Sequence, residues 1–172
     1  MNAARPFRLL FLCTGNSARS QIAEALLAHK GHGRFIAGSA GSHPAPEVNP
    51  LAIAALDEHG IPWQGHRPKS VDDVIGEKWD FVITVCDRAK EACPIFPGQP
   101  VFAHWGLSDP AEATGTREEQ LRVFRETAVQ LARRIDLMLA LPVEKLERHV
   151  AEERLRAIGE GSHVDGRASP TR

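Results

Sequence analysis

The sequence predicts an α/β fold on a parallel sheet covered on both faces, and three observations carry that expectation. Phe7–Leu12 (Phe-Arg-Leu-Leu-Phe-Leu) and Phe81–Val85 (Phe-Val-Ile-Thr-Val) are short, nearly unbroken apolar runs of the kind found in strands buried on both sides. Stretches with apolar residues at helical spacing alternate with the strand-like runs. Cysteines stand directly after both of the clearest strands, at Cys13 and Cys86, where ligands sit in parallel sheets. A chain of 172 residues accommodates one domain and an appendage.

The elements follow in order. After Cys13 a loop leads into a helix from Ser20, with Ile22, Ala23, Leu26 and Leu27 on its apolar face, ending at Gly31. Arg34–Gly41 is a second strand. Asn49 caps, and Pro50 opens, a helix carrying Leu51, Ile53, Ala54, Ala55 and Leu56, which Gly60 stops. Ser70 caps a short helix through Ile75, and Val101–His104 is the last strand. Thr116-Arg-Glu-Glu119 is a capping box opening a long helix with Leu121, Phe124, Ala128, Leu131, Ile135 and Met138 on one face. Pro142 interrupts it. Val143–Ile158 reads as a further charged helix, and the chain from Gly159 onward is small, polar and expected to be disordered. No internal repeat is present.

Composition narrows the function classes. With 21 Lys+Arg against 22 Asp+Glu and a net charge of −1, no strong field suggests a nucleic-acid or membrane partner. The N-terminal segment has neither the length of a membrane span nor a signal-peptide pattern, so a cytoplasmic protein is expected, as a monomer. Three cysteines in a chain of this length do not form a disulfide framework, and in a reducing compartment they point to catalytic thiols. Cys86 and Cys93 are too far apart for a thiolate knuckle, and the eight histidines show neither HxxxH nor HxH spacing, so no metal is expected. The histidines and Trp63, Trp79 and Trp105 read as surface or packing residues.

The chemistry gathers first at Cys13-Thr14-Gly15-Asn16-Ser17-Ala18-Arg19-Ser20. Backbone N–H groups of a tight loop entering a helix converge on one point, and the helix dipole adds positive potential there. An anion belongs at that point, and a cysteine placed there has its thiolate favoured over the thiol. Arg19 can return as a planar fork onto two oxygens of a tetrahedral anion. Ser20 can donate its hydroxyl to the sulfur. An isolated Cys-x5-Arg is equally compatible with a buried free cysteine and an exposed arginine. Here the pattern also follows a buried strand, contains Gly15 and opens a helix.

Leu-Phe-Leu-Cys-Thr-Gly-Asn-Ser-Ala-Arg-Ser-Gln-Ile-Ala-Glu resembles the signature of the low-molecular-weight tyrosine phosphatase superfamily, specifically its arsenate reductases. The resemblance covers about residues 7–141 and implies a flavodoxin-like three-layer fold with a four-stranded parallel sheet. Residues 1–141 are then the phosphatase-like arsenate reductase domain, while charge pattern and composition make 142–161 a C-terminal helical extension and 162–172 a disordered tail. The resemblance further implies that Thr14, Gly15, Asn16, Ser17, Ala18 and Arg19 bind the oxyanion, arsenate with phosphate or sulfate as analogues, while Cys13 forms a covalent adduct.

Phosphate ester hydrolysis needs one nucleophilic cysteine, whereas converting As(V) to As(III) takes two electrons, which two thiols supply by forming a disulfide. Cys86-Asp87-Arg88-Ala89-Lys90-Glu91-Ala92-Cys93-Pro94 resembles the redox segment of the reductases. The family cascade then has Cys86 attack the Cys13 adduct, Cys93 resolve the Cys13–Cys86 disulfide, and thioredoxin reduce Cys86–Cys93, with no tightly bound cofactor. By themselves, Cys86 reads as a small apolar residue and Cys93 as an incidental loop cysteine. A helical 86–93 segment would hold the two about 10.5 Å apart along its axis, beyond the about 7 Å that a disulfide allows, so oxidation requires it to unwind or move. Asp87 is a cap or a solvated residue.

His104-Trp105-Gly106-Leu107-Ser108-Asp109-Pro110 resembles the family's Asp-Pro loop, which makes Asp109 the general acid; otherwise it is a turn-forming residue. Ala111-Glu112-Ala113 follows, without the aromatics that grip phosphotyrosine, which disfavours a bulky aryl substrate. Asn16 and Glu24 match positions that order the anion loop, helped in some relatives by a monovalent cation. Where those relatives carry an acidic residue this chain has Lys69, expected to replace the cation by pairing with Glu24 and Asn16; the alternative is a solvated lysine. Two other functions stay open: a phosphatase for small phosphoesters or phosphotyrosine, and a noncatalytic oxyanion-binding or redox-sensing module.

Overall fold

The structure, a computed structural model, describes residues 5–161. Four strands, β1 (Phe7–Cys13), β2 (Phe35–Gly41), β3 (Phe81–Thr84) and β4 (Val101–His104), form one parallel sheet in the order β2-β1-β3-β4. Helices α1 (Arg19–Lys30), α2 (Pro50–Glu58), α3 (Val71–Val74), α4 (Asp87–Glu91), α5 (Arg117–Leu139) and α6 (Arg148–Gly161) connect and follow the strands. The α/β expectation and the four-stranded sheet therefore hold. Leu9, Leu10 and Phe11 of β1 and Val82 and Ile83 of β3 are fully buried, as unbroken apolar runs require in a sheet covered on both faces.

Local signals place the helix starts. Asn49 Oδ1 accepts from Leu51 N–H at 2.9 Å ahead of Pro50, Ser70 Oγ from Asp72 N–H at 3.2 Å, and Thr116 Oγ1 from Glu119 N–H at 3.1 Å. On α5 the expected stripe, Leu121, Phe124, Ala128, Leu131, Ile135 and Met138, is buried throughout. The three tryptophans are buried, and each indole N–H donates, Trp63 to Gln21 Oε1, Trp79 to Val74 O and Trp105 to Leu155 O.

The C-terminal segment differs from its expectation. Val143–Lys145 is a single 3-10 turn, with Val143 buried, and α6 starts only at Arg148. The helix also continues through Gly159, which was expected to begin the disordered stretch. A Cβ at that position would collide with His104 O and lie 2.8 Å from the Trp105 ring, so glycine lets α6 press against the end of β4. Glu152 Oε1 accepts from Phe102 N–H at 3.3 Å, satisfying an amide of the edge strand. The tail expected over 162–172 lies outside the described residues.

Candidate active site

β1 ends on Cys13, and the anion loop is held from behind by the segment after β2. The carbonyls of Cys13, Thr14, Gly15 and Ser17 accept from the N–H groups of Ser42, His43, Ala45 and Asn49 at 3.2, 2.9, 2.8 and 2.8 Å. In a trans peptide the next N–H points the opposite way from each carbonyl, so the amides of Thr14, Gly15, Asn16 and Ala18 are turned toward the cleft. Asn16 N–H donates to Cys13 Sγ at 3.2 Å. Ala18, at the N-cap of α1, supplies no side-chain cap, which leaves the first-turn amides available on the cleft side.

Asn16 sits in the left-handed region, φ 50°, and its buried amide ties the loop together. Its Nδ2 donates to Ser20 Oγ at 2.8 Å and Ser39 Oγ at 2.9 Å, while Oδ1 accepts from Gln21 Nε2 at 3.2 Å and Lys69 N–H at 2.8 Å. Ser20 Oγ in turn lies 2.9 Å from Cys13 Sγ. Burial pushes the Cys13 thiol up, above its ordinary value. The Ser20 hydroxyl, the N–H groups of Ser20 and Asn16, and Arg19 all oppose that push, the hydroxyl most strongly. The thiolate-stabilising groups expected from the sequence are in place, but burial outweighs them in this conformation.

The ring around the loop departs from expectation at Lys69. Its ammonium reaches Glu24 Oε1 at 3.9 Å, but Asn16 is met by the Lys69 backbone N–H rather than by the ammonium. The reason is register: Lys69 O accepts from Gly41 N–H at 2.8 Å, which aligns the lysine backbone with the end of β2. Burial raises the Glu24 carboxyl above its usual range, while Lys69 and the Ser39 hydroxyl pull it down.

A cleft of about 500 Å³ opens over the loop, lined among others by Cys13, Arg19, Cys86, Arg88 and Asp109. Arg19 donates to Leu107 O at 2.8 Å and lies 3.7 Å from Asp109 Oδ2. Asp109 Oδ1 accepts from Ala111 N–H at 3.0 Å, so one oxygen is fixed by the turn and the other faces Arg19. The buried Arg134 of α5 donates to Gly106 O at 3.3 Å and braces the same loop.

Cys86 is buried at the N-cap of α4, its Sγ 3.4 Å from Thr14 Oγ1 and 3.4 Å from Ala89 N–H. The cap is thus the cysteine itself, while Asp87 turns to His104 Nε2 at 3.0 Å. Cys93 follows the end of α4, half-buried, and burial raises its thiol. Cys13 and Cys93 also border one small apolar niche with Leu12, Val71, Ala89 and Pro94. All three thiols are free.

Several residues that position this site carried no role in the sequence reading. Gly41, paired with Cys13 across β1 and β2, approaches so closely that a Cβ would collide with Thr14 O and sit 3.0 Å from Asn16 N. Gln21 stood inside the recognised motif, yet its link from Asn16 to Trp63 depends on a loop distant in sequence. His104 stood inside the Asp-Pro motif without a role of its own, and Arg134 gave no signal beyond its residue type. No group of three or more His, Cys, Asp or Glu suited to a metal occurs among the described residues, and no described helix is long and apolar enough to cross a membrane.

A parallel α/β sheet that presents a cysteine within an amide-lined loop, faced by an arginine and an aspartate, defines a cysteine-dependent oxyanion enzyme. The chain belongs to the low molecular weight phosphotyrosine protein phosphatase family, whose profile matches residues 8–152. Among its relatives is the arsenate reductase of Halalkalibacterium halodurans, 40% identical over 133 residues, covering 74% of this chain and 91% of that protein. The Bacillus subtilis arsenate reductase is 36% identical over 127 residues, with the same coverage of 74% and 91%. The thioredoxin-dependent arsenate reductase Cg_ArsC1' of Corynebacterium glutamicum superposes with a TM-score of 0.56 at 35% identity, over 79% of this chain and 65% of that one. A low molecular weight protein tyrosine phosphatase from T. tengcongensis superposes at 0.63 with 27% identity, over 81% of this chain and 99% of that one.

Proposed function

We propose that this chain reduces arsenate to arsenite through Cys13, Cys86 and Cys93, with electrons from thioredoxin in a reducing, cytoplasmic compartment. The observation that carries the reading is the shared cleft: Cys13 and Cys86 line one opening, and Cys93 follows one short helix later. The arsenate reductases among its relatives support the same substrate.

The loop amides and Arg19 hold the tetrahedral oxyanion, with phosphate or sulfate as analogues of arsenate. Cys13 Sγ bonds to arsenic while one oxygen leaves as water, Asp109 supplying a proton to it; general acids of this kind contribute roughly 10²–10⁴-fold. The Cys86 thiolate then attacks Cys13 Sγ. The sulfur–sulfur bond forms, the sulfur–arsenic pair stays on arsenic, and As(III) departs as arsenite. Cys93 attacks Cys86, freeing Cys13, and the Cys86–Cys93 disulfide takes two electrons and two protons from the thioredoxin dithiol. Ser20 favours the Cys13 thiolate, and Asn16, Glu24 and Lys69 keep the loop in shape.

The test is arsenate-dependent NADPH oxidation with thioredoxin and thioredoxin reductase, together with arsenite measured directly. Wild type turns over, and Cys13→Ser, Cys86→Ser and Cys93→Ser each stop. Phosphoester hydrolysis without arsenite, surviving in both Cys86→Ser and Cys93→Ser, would make the protein a phosphatase. Turnover of Cys93→Ser at the wild-type rate would replace thioredoxin by a small thiol such as glutathione or mycothiol.

A further inference from the structure

β3 and β4 end side by side with Thr84 paired to His104, and the His104 ring links Thr84 to Asp87 at the start of α4. Nδ1 lies 2.7 Å from Thr84 Oγ1, and Nε2 lies 3.0 Å from Asp87 Oδ1. A carboxylate only accepts, so Nε2 carries a proton and donates to Asp87, while Nδ1 meets the Thr84 hydroxyl, which can donate or accept. Thr84 is fully buried, while the Asp87 side chain is 89% exposed. The chain of bonds runs from the core to the surface. The backbone of His104 is itself fixed, because α6 packs on it at Gly159 and Trp105 N–H bonds Thr84 O at 2.7 Å.

Asp87 is the first residue of α4 and directly follows Cys86. On that helix Ala89 is buried, whereas Arg88, Lys90 and Glu91 are exposed and, among the described residues, make no side-chain hydrogen bond or ion pair. The Asp87 carboxylate is therefore the side-chain tether between α4 and the sheet. α4 with its two caps runs from Cys86 to Ala92, about 9 Å of axial rise, whereas a disulfide needs Cα atoms within about 7 Å, so closing Cys86 onto Cys93 strains α4 and the tether resists that change.

We propose that Asp87 and His104 are positioning residues that hold Cys86 on the reduced, helical segment and set the balance between the dithiol and the Cys86–Cys93 disulfide. The proposal rests on the relay reading above. Its energy lies on the reduced side, so cutting the tether favours the disulfide.

The equilibrium is read on the full chain carrying Cys13→Ser, in buffers of reduced and oxidised dithiothreitol. Two thiols of the protein give two electrons and two protons to the reagent's disulfide, and the fraction oxidised is fixed by acid quenching, alkylation and mass spectrometry. Asp87→Ala and His104→Ala each shift the equilibrium about three- to tenfold toward the disulfide, the size of one partly exposed charge-assisted hydrogen bond. The double variant shifts no further than either single one. Asp87→Asn, whose amide oxygen still accepts but without the charge, falls between the parent and Asp87→Ala. Inorganic phosphate affinity, measured by calorimetry on the reduced proteins that keep Cys13, stays unchanged.

An unchanged equilibrium in Asp87→Ala overturns the proposal, as do additive shifts in the double variant or a parallel loss of phosphate binding. Asp87 is exposed, so its alanine variant retains the fold if His104→Ala does not. A parent that forms no Cys86–Cys93 disulfide in any buffer overturns the relay, and the tether with it.

Discussion

The anion loop and the α4 segment face the same cleft and are built in opposite ways. Every loop carbonyl from Cys13 to Gly15 is bonded by the segment after β2, and Asn16 joins the loop to α1, β2 and Lys69 from its buried centre. The segment from Cys86 to Phe96 has one buried helical residue, Ala89, long-range side-chain links at Cys86 to Thr14 and at Asp87 to His104, and Ile95 at 94% exposure. Oxyanion chemistry needs donors that do not reorganise, whereas thiol relay needs two cysteines to change partners. The protein places each requirement in a different segment of one site.

Breaking the rigid half should separate the two functions. Gly41→Val forces a side chain into Thr14 O, and misplacing loop donors by even 1 Å should cost about 100-fold or more in phosphate affinity. The Cys86–Cys93 equilibrium with dithiothreitol, measured in the same protein, should move far less than that, because only the Cys86 Sγ–Thr14 Oγ1 contact links the two. A variant that binds phosphate normally would show that the loop is not held from behind.

Ser20→Ala probes the loop's electrostatics with a smaller effect. Burial holds the Cys13 thiol above its ordinary value, and the Ser20 hydroxyl is the largest influence pulling it down. Its removal should move the pH midpoint of Cys13 alkylation higher still and slow alkylation at neutral pH about three- to tenfold. The sign carries to stability: with the folded value above the unfolded one, the buried thiol's contribution is complete at lower pH and is lost as pH rises through the folded value. An unchanged or lower midpoint would remove Ser20 from the nucleophile's environment.

The smallest effect belongs to Lys69. Wild type should show no large potassium response in activity or Tm, because the ammonium stands near Glu24. Lys69→Met should acquire one, on the order of a degree or two in Tm. A strong potassium response in wild type would mean that the lysine does not take a cation's place.

The sequence showed the strand–loop–helix at Cys13 because local signals agree there: a continuous apolar run, a glycine-bearing loop and helical spacing from Ser20. The α5 stripe was legible for the same reason. The Lys69 partner was only half legible, since the lysine backbone rather than its ammonium reaches Asn16. Gly41 in Ser39-Ala40-Gly41-Ser42 shows no turn and no positive φ, so its importance appears only once β1 and β2 lie in register.

The sequence by itself determined the alternation of strands and helices, the cysteine loop and its arginine, and the spacing of a second and third thiol. These depend on neighbours within a few residues, or on a motif that residue order preserves. Tertiary structure alone decided which amides face the cleft, how burial sets the Cys13 thiol, and that Thr84, His104 and Asp87 join two strand ends to α4. Those properties arise from hydrogen bonds and desolvation between segments far apart in the chain, and no local pattern encodes them.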